Sequence, residues 1–193
     1  MRRALLAAAA AVLALTACTD GGGKEPPDGD DPLPMIAIDA CPAPETLLTR
    51  AEEPTKGRRL ADVTLPCLGH EGEVRMRALG KVPTVVNLWG SWCFPCRTEM
   101  PEFQKVHREL GDKVRFLGVD TKDFERPARV AIQNAAITYA NVFDKDERIK
   151  RSVNARSLPT TVLVGADGLV KNVHVGELTA AELRAQITKH LGV

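Results

Sequence analysis

The run Pro83-Thr84-Val85-Val86-Asn87-Leu88-Trp89, followed at once by Trp92-Cys93-Phe94-Pro95-Cys96, restricts the fold of this chain more than any other stretch. Its first part is β-branched and nearly all apolar, the pattern of a central strand buried on both faces. Its second part opens a helical pattern from about Cys93 to Leu110, ended by Gly111. Two cysteines separated by two residues thus lie where a buried strand gives way to a helix. Unpaired backbone N–H groups and the helix dipole stabilise a thiolate at that place. Cys93, on the first turn and nearer solvent, is the expected attacking thiolate, and Cys96, one turn deeper, the expected resolving thiol. Pro95 restricts the loop and removes one N–H that could otherwise solvate sulfur. A C-x-x-C is equally half of a zinc site. Cys41, Cys67, His70 and His107 are further ligand types, but no second C-x-x-C or closely spaced histidine pair completes the pattern. Redox chemistry without metal or cofactor is therefore the reading. A purely structural bond in so small a ring would constrain little of the unfolded chain.

The rest of the chain alternates strand and helix patterns from about Leu60. Asp62 to Leu65 and Val74 to Arg77 read as a short hairpin across Gly69-His70-Glu71-Gly72. Val114 to Val119 is a second buried strand, Pro127 to Ala136 a helix with proline in its first turn, and Asn141 to Phe143 a short strand. A helix is expected from about Asp146 to Val153, then strands at Thr160 to Val164 and Val170 to Val175 joined by Ala166-Asp167-Gly168, an Asp-Gly hairpin signal. Thr179 and Glu182 have capping-box spacing, and Leu183, Ile187 and Leu191 form one stripe on the last helix. This order predicts an α/β fold, a central mixed sheet with helices on both faces and an N-terminal hairpin extension. Residues 35–59, broken by Pro42, Pro44 and Pro54, read as an irregular arm packed on the domain at 60–193.

Val85 to Pro101, VVNLWGSWCFPCRTEMP, resembles the active-site segment of the thioredoxin superfamily, in particular its extracytoplasmic TlpA/ResA-like branch. Ser157-Leu158-Pro159-Thr160-Thr161 resembles the second landmark of that family, a loop whose cis proline faces the cysteines. The likeness runs from about Asp62 to the C-terminus and implies a thioredoxin-like fold and thiol–disulfide oxidoreductase activity.

Several residues gain roles on this basis. A cis bond before Pro159 would leave the backbone of Leu158 open to an extended substrate; a proline merely opening an edge strand is the alternative. Cytoplasmic thioredoxins carry a buried aspartate where this chain has Asn87, which cannot exchange a proton. Glu99, one turn after Cys96, is the carboxylate of the TlpA/ResA-like branch and could move the resolving thiol's proton if partly desolvated. A solvated surface glutamate is the alternative. Pro101 falls inside the helix and should kink it. Trp89 and Trp92 are expected around the site, Trp92 with Phe94 and Pro95 forming the redox loop. Cys41 and Cys67 most simply pair as a structural staple in an oxidising compartment, the alternative being a second pair that relays electrons. His70, His107, His174 and His190 are not placed near a cysteine by spacing, His107 is expected to be solvated, and the run Asp144 to Arg148 reads as solvated turn and helix surface.

The fifth cysteine belongs to the N-terminus. Met1-Arg2-Arg3 is a basic start, Ala4 to Leu15 an apolar run too short to span about 30 Å of hydrocarbon, and Leu15-Thr16-Ala17-Cys18 resembles a bacterial lipobox. Residues 1–17 are expected to be a lipoprotein signal peptide with Cys18 lipidated, and 18–34, rich in Gly, Pro and Asp, a flexible tether. An ordinary secretory signal is the alternative. With 26 basic against 25 acidic side chains there is no footprint for nucleic acid. The expected protein is a membrane-anchored extracytoplasmic oxidoreductase. The resemblance implies that it reduces disulfides in exported proteins, such as apocytochrome c during cytochrome c maturation, with electrons from a membrane thiol donor. Oxidative folding, antioxidant exchange and a non-catalytic binding or metal-delivery module are the other readings.

Overall fold

A computed structural model describes residues 33–193. The expected signal peptide, the expected lipidation of Cys18 and the expected tether up to residue 32 lie outside the described residues.

Among the described residues seven strands and four α-helices follow in the order β1 (Thr64–Pro66), β2 (Glu73–Arg75), β3 (Thr84–Trp89), α1 (Phe94–Leu110), β4 (Arg115–Thr121), α2 (Glu125–Asn134), β5 (Ala140–Asp144), α3 (Arg148–Ser152), β6 (Thr160–Val164), β7 (Val170–Val175) and α4 (Ala180–Leu191). The main sheet has the order β5-β4-β3-β6-β7, and β1 and β2 form a separate hairpin. β3 lies at its centre, every residue buried, parallel to β4 and antiparallel to β6. Two successive crossovers in one direction, β3-α1-β4 and β4-α2-β5, place α1 and α2 on the same face.

That face is filled by Met100, Phe103 and Val106 of α1, Ala128 and Ile132 of α2, and Leu183 and Ile187 of α4, all against Val85, Trp89 and Phe116 of the sheet. The opposite face packs Val86, Leu88, Leu117 and Val162 against Leu65 and Val74 of the hairpin and Ile149 of α3. Local signals set the boundaries. Thr179 and Glu182 form a reciprocal capping box on α4, and the turn before β7 places Gly168 at φ +77, where a side chain would be strained.

The arm carries no helix longer than the short 3-10 turn Pro44–Thr46, yet Ile38 and Leu47 are buried. Asp39 N donates to Thr138 O at 2.6 Å and Leu48 N to Ala78 O at 2.8 Å. Glu53 accepts from Arg59 at 2.7 Å and Arg77 at 3.1 Å, and also from Arg75, fastening the arm to the hairpin.

Several expectations are corrected. The second helix starts two residues before Pro127, at Glu125. The third starts at Arg148, because Glu147 takes the left-handed conformation, φ 54. Asp144 is not solvated but fully buried, accepting from Arg148 N at 3.0 Å and Ile149 N at 2.8 Å, two donors that the first turn of α3 leaves unpaired. His107 is not solvated either: its ring sits 5.3 Å from that of Phe116 and 5.5 Å from that of Tyr139. Burial lowers its pKa against the opposing pull of Asp39. His70 joins its turn to the arm, Nε2 lying 2.9 Å from Ile38 O.

Candidate redox site

Cys93 is the N-cap of α1 rather than a member of its first turn; its Sγ accepts from Cys96 N at 3.2 Å. The two sulfurs are bonded, with Cα atoms 5.3 Å apart. Cys93 is 5 % exposed and Cys96 0 %, so of the pair Cys93 is the sulfur-bearing residue nearer solvent. Around it the redox loop is open: Trp92 is 55 % and Phe94 72 % exposed. Pro95 stands in the first turn of α1, where its missing N–H breaks no helical bond.

The segment leading into Cys93 is held by the loop after β4. Asp123 accepts from Ser91 Oγ at 2.9 Å and also from Ser91 N, and Trp92 Nε1 donates to Lys122 O at 3.0 Å. A Cβ on Gly90 would lie 2.7 Å from Trp92 Nε1 and 3.2 Å from Thr121 O, so only glycine lets the indole fold back onto this loop. Asp120, fully buried at the end of β4 opposite Trp89, has its carboxyl pushed well above the usual range, first by burial and then by Asp123. Sequence reasoning missed Asp120 and Asp123. Their position at the carboxyl end of a parallel strand, where α/β folds gather functional groups, was the available signal.

Glu99 is 2 % exposed, which removes the solvated alternative. Its Oε1 accepts from Asn87 Nδ2 at 2.7 Å and its Oε2 from Leu178 N at 3.1 Å. Burial raises its pKa to about 8 against the pull of those two hydrogen bonds, and the Glu177 charge adds to the rise. Asn87 Oδ1 is buried with no hydrogen-bond partner among the described residues. An amide that turns over can offer either Nδ2–H to the carboxylate or Oδ1 to the acid's O–H, serving both protonation states.

Leu158-Pro159 is a cis peptide. Thr160 pairs with Leu88, so Pro159 lies level with Trp89, at the end of the sheet from which the Cys93 loop emerges. Pro101 lies within α1, which continues through it to Leu110. Trp89 is fully buried and donates to Asn141 Oδ1 at 2.9 Å.

Cys41 and Cys67 are also bonded, with Cα atoms 6.2 Å apart. Cys67 bridges to Val142 and Leu68 N donates to Asn141 O at 2.8 Å, so this bond fastens arm and hairpin along the outer edge of β5. Neither residue is at a helix start.

The geometry supports two-thiol exchange: a sulfur at a helix N-terminus, a deeper second sulfur bonded to it, and a carboxyl one turn further along whose pKa burial raises to about 8. Comparison with known proteins agrees. Residues 57–173 match the AhpC/TSA family. The chain is 30% identical over 135 residues to the thioredoxin-like protein YneN of Bacillus subtilis, covering 68% of this chain and 78% of that one. It is 30% identical over 111 residues to the thiol-disulfide oxidoreductase ResA of Halalkalibacterium halodurans, covering 56% of this chain and 63% of that one, less than two thirds of its length. A crystal structure of a DsbF homologue from Corynebacterium diphtheriae superposes with a TM-score of 0.59 at 25% identity, covering 80% of this chain and 99% of that one.

Proposed function

The chain belongs to the AhpC/TSA family and is a thioredoxin-like thiol–disulfide oxidoreductase of the ResA and DsbE type, and we propose that it reduces disulfides of exported proteins from an anchored position outside the cytoplasm. The observation that carries the reading is the Cys93–Cys96 bond at the start of α1 with Glu99 buried behind it.

In the reductive direction, Cys93 thiolate attacks one client sulfur and expels the other as a thiolate. The Cys96 thiol, its proton passed towards Glu99, then attacks Cys93 Sγ. The second client thiolate leaves, and the protein keeps the Cys93–Cys96 disulfide. One client disulfide becomes two thiols, and two protein thiols become one disulfide. A membrane thiol donor would restore the pair by the reverse exchange. The cysteine pair of apocytochrome c is a client of fitting chemistry, since it must be reduced before haem attachment.

Support for the compartment comes from the apolar N-terminal run and the Leu15-Thr16-Ala17-Cys18 sequence, together with a second disulfide, a bond that persists where the surroundings oxidise. Lipidation of Cys18 would supply the anchor.

Insulin reduction driven by dithiothreitol tests the activity: the wild-type protein accelerates precipitation and Cys93→Ser does not. Equal acceleration by both proteins would refute the assignment. A redox titration against glutathione fixes the direction, a potential near or below about −270 mV marking a reductant and one near about −120 mV an oxidant.

A further inference from the structure

The two flanks of α1 differ in charge. Towards α4, Glu99, Glu102, Glu177 and Glu182 line a cleft of about 220 Å³. Towards α2, a groove of about 370 Å³ begins at Ser91, two residues before Cys93, and runs between Arg97 and Pro101 of α1 and Arg126, Val130 and Asn134 of α2. Its lining carries two arginines and, among the described residues, no carboxylate. Arg97 lies over the Phe94 ring, its guanidinium carbon 5.9 Å from the centroid, so this charge is placed beside the redox loop. Trp92, Phe94, Phe124 and Val130 are all large apolar side chains left exposed on this side. Pro101 has no N–H to give to the Arg97 carbonyl one turn back, which leaves that oxygen without its usual helical donor.

We propose that this groove seats the stretch of client chain flanking the attacked cysteine when that stretch carries an apolar side chain and a carboxylate. The proposal rests on exchange at Cys93 as described above and names which clients that site prefers. The apolar side chain covers Val130 and the Phe94 edge, and the carboxylate meets Arg97. The same carboxylate on the α4 side would face Glu102, Glu177 and Glu182, so the charge difference across α1 also fixes the direction in which the client lies over Cys93.

The test uses the reduced protein and synthetic peptides, each with one cysteine held as a mixed disulfide with 2-mercaptoethanol and one leucine nearby, differing only in a Glu or Gln three residues away. Single-turnover rates are compared as the Glu-to-Gln ratio within each protein, so that any change in thiol reactivity cancels. The wild type is expected to favour the Glu peptide by about fivefold at low ionic strength. The preference should collapse towards one in about 0.5 M salt. Arg97→Gln should reduce it, and Val130→Glu, at an exposed helix position, should invert it. Lys113→Gln, three residues past the end of α1, should keep it. A ratio of one in the wild type, or a ratio untouched by Arg97→Gln and Val130→Glu, overturns the proposal. Failure to reduce either peptide overturns the exchange reading itself.

Discussion

Asn87 Nδ2 lies 2.7 Å from Glu99 Oε1, so the fully buried central strand reaches the buried carboxyl of the redox helix through one amide. This hydrogen bond holds the Glu99 pKa down, while burial drives it up to about 8. Removing the amide leaves burial less opposed. Asn87→Ala should therefore shift the Glu99 titration upward, and the alkaline rise of exchange with it. Carbon-13 NMR of labelled glutamate follows the first and the pH–rate profile the second; an unchanged or lower pKa would separate the two residues functionally.

Glu99 also makes stability depend on pH. A folded pKa of about 8 lies above the ordinary 4.5, so the folded protein keeps a proton that the unfolded chain has lost. The contribution is present in full below about pH 4.5 and is lost as the pH rises to about 8, with no further change from this group beyond that. Glu99→Gln cannot ionise and should flatten that part of the curve, making the variant relatively more stable at pH 8 than at pH 5. Urea unfolding at both pH values measures it. Exchange in the same variant should slow, because the proton of Cys96 loses its acceptor; an unaltered rate and pH profile would remove Glu99 from proton transfer.

Where a structural feature depends on neighbours in sequence, it was legible. The apolar β3 run, the Asp167-Gly168 turn and the Thr179 to Glu182 box are complete within a few residues, and each stands where its pattern puts it. The cysteine pair is legible for the same reason, since the strand-to-helix junction is local. Features set by distant parts were not. Spacing leaves Glu99 open between a desolvated carboxyl and a surface residue, and the choice is made by Leu178, 79 positions later, which donates to it. His107 looks solvated until the arm, Phe116 and Tyr139 close round it. Asp123 is marked in the sequence only by its place just after β4, because its partner Ser91 lies on another loop.

Cys96→Ser separates attack from resolution. Cys93 retains its place at the N-cap, so the variant should still attack a client disulfide, and the mixed disulfide should then persist. Mass spectrometry after mixing with a disulfide peptide should show a covalent adduct at Cys93, absent from Cys93→Ser. Accumulation of the adduct in Cys93→Ser instead would reverse the roles of the two thiols.

The bond between Cys41 and Cys67 closes a loop between positions 26 apart, for which chain entropy predicts roughly 3–4 kcal/mol before any native strain is subtracted. Replacing both residues by alanine should lower stability by an amount of that order, with insulin reduction largely retained. Thiol trapping under graded dithiothreitol distinguishes a staple from a relay: a staple stays oxidised while Cys93–Cys96 opens, whereas a relay opens with it.

Gly118 of β4 has no room for a side chain. A Cβ there would stand 1.7 Å from Asn141 Oδ1 and 3.0 Å from Trp89 Nε1, inside the hydrogen bond that joins those two groups. Asn141 cannot simply swing away, because its Nδ2 donates to Tyr139 O at 2.9 Å. Gly118→Ala must therefore break the Trp89 bond in the core or push β4 from β5. Overpacking together with an unpaired buried indole N–H should cost about 2–4 kcal/mol. Chemical denaturation gives the loss directly, and the tryptophan fluorescence of the folded variant reports whether Trp89 has lost its partner. A variant as stable as the wild type would show that the interior accommodates a methyl group at this position.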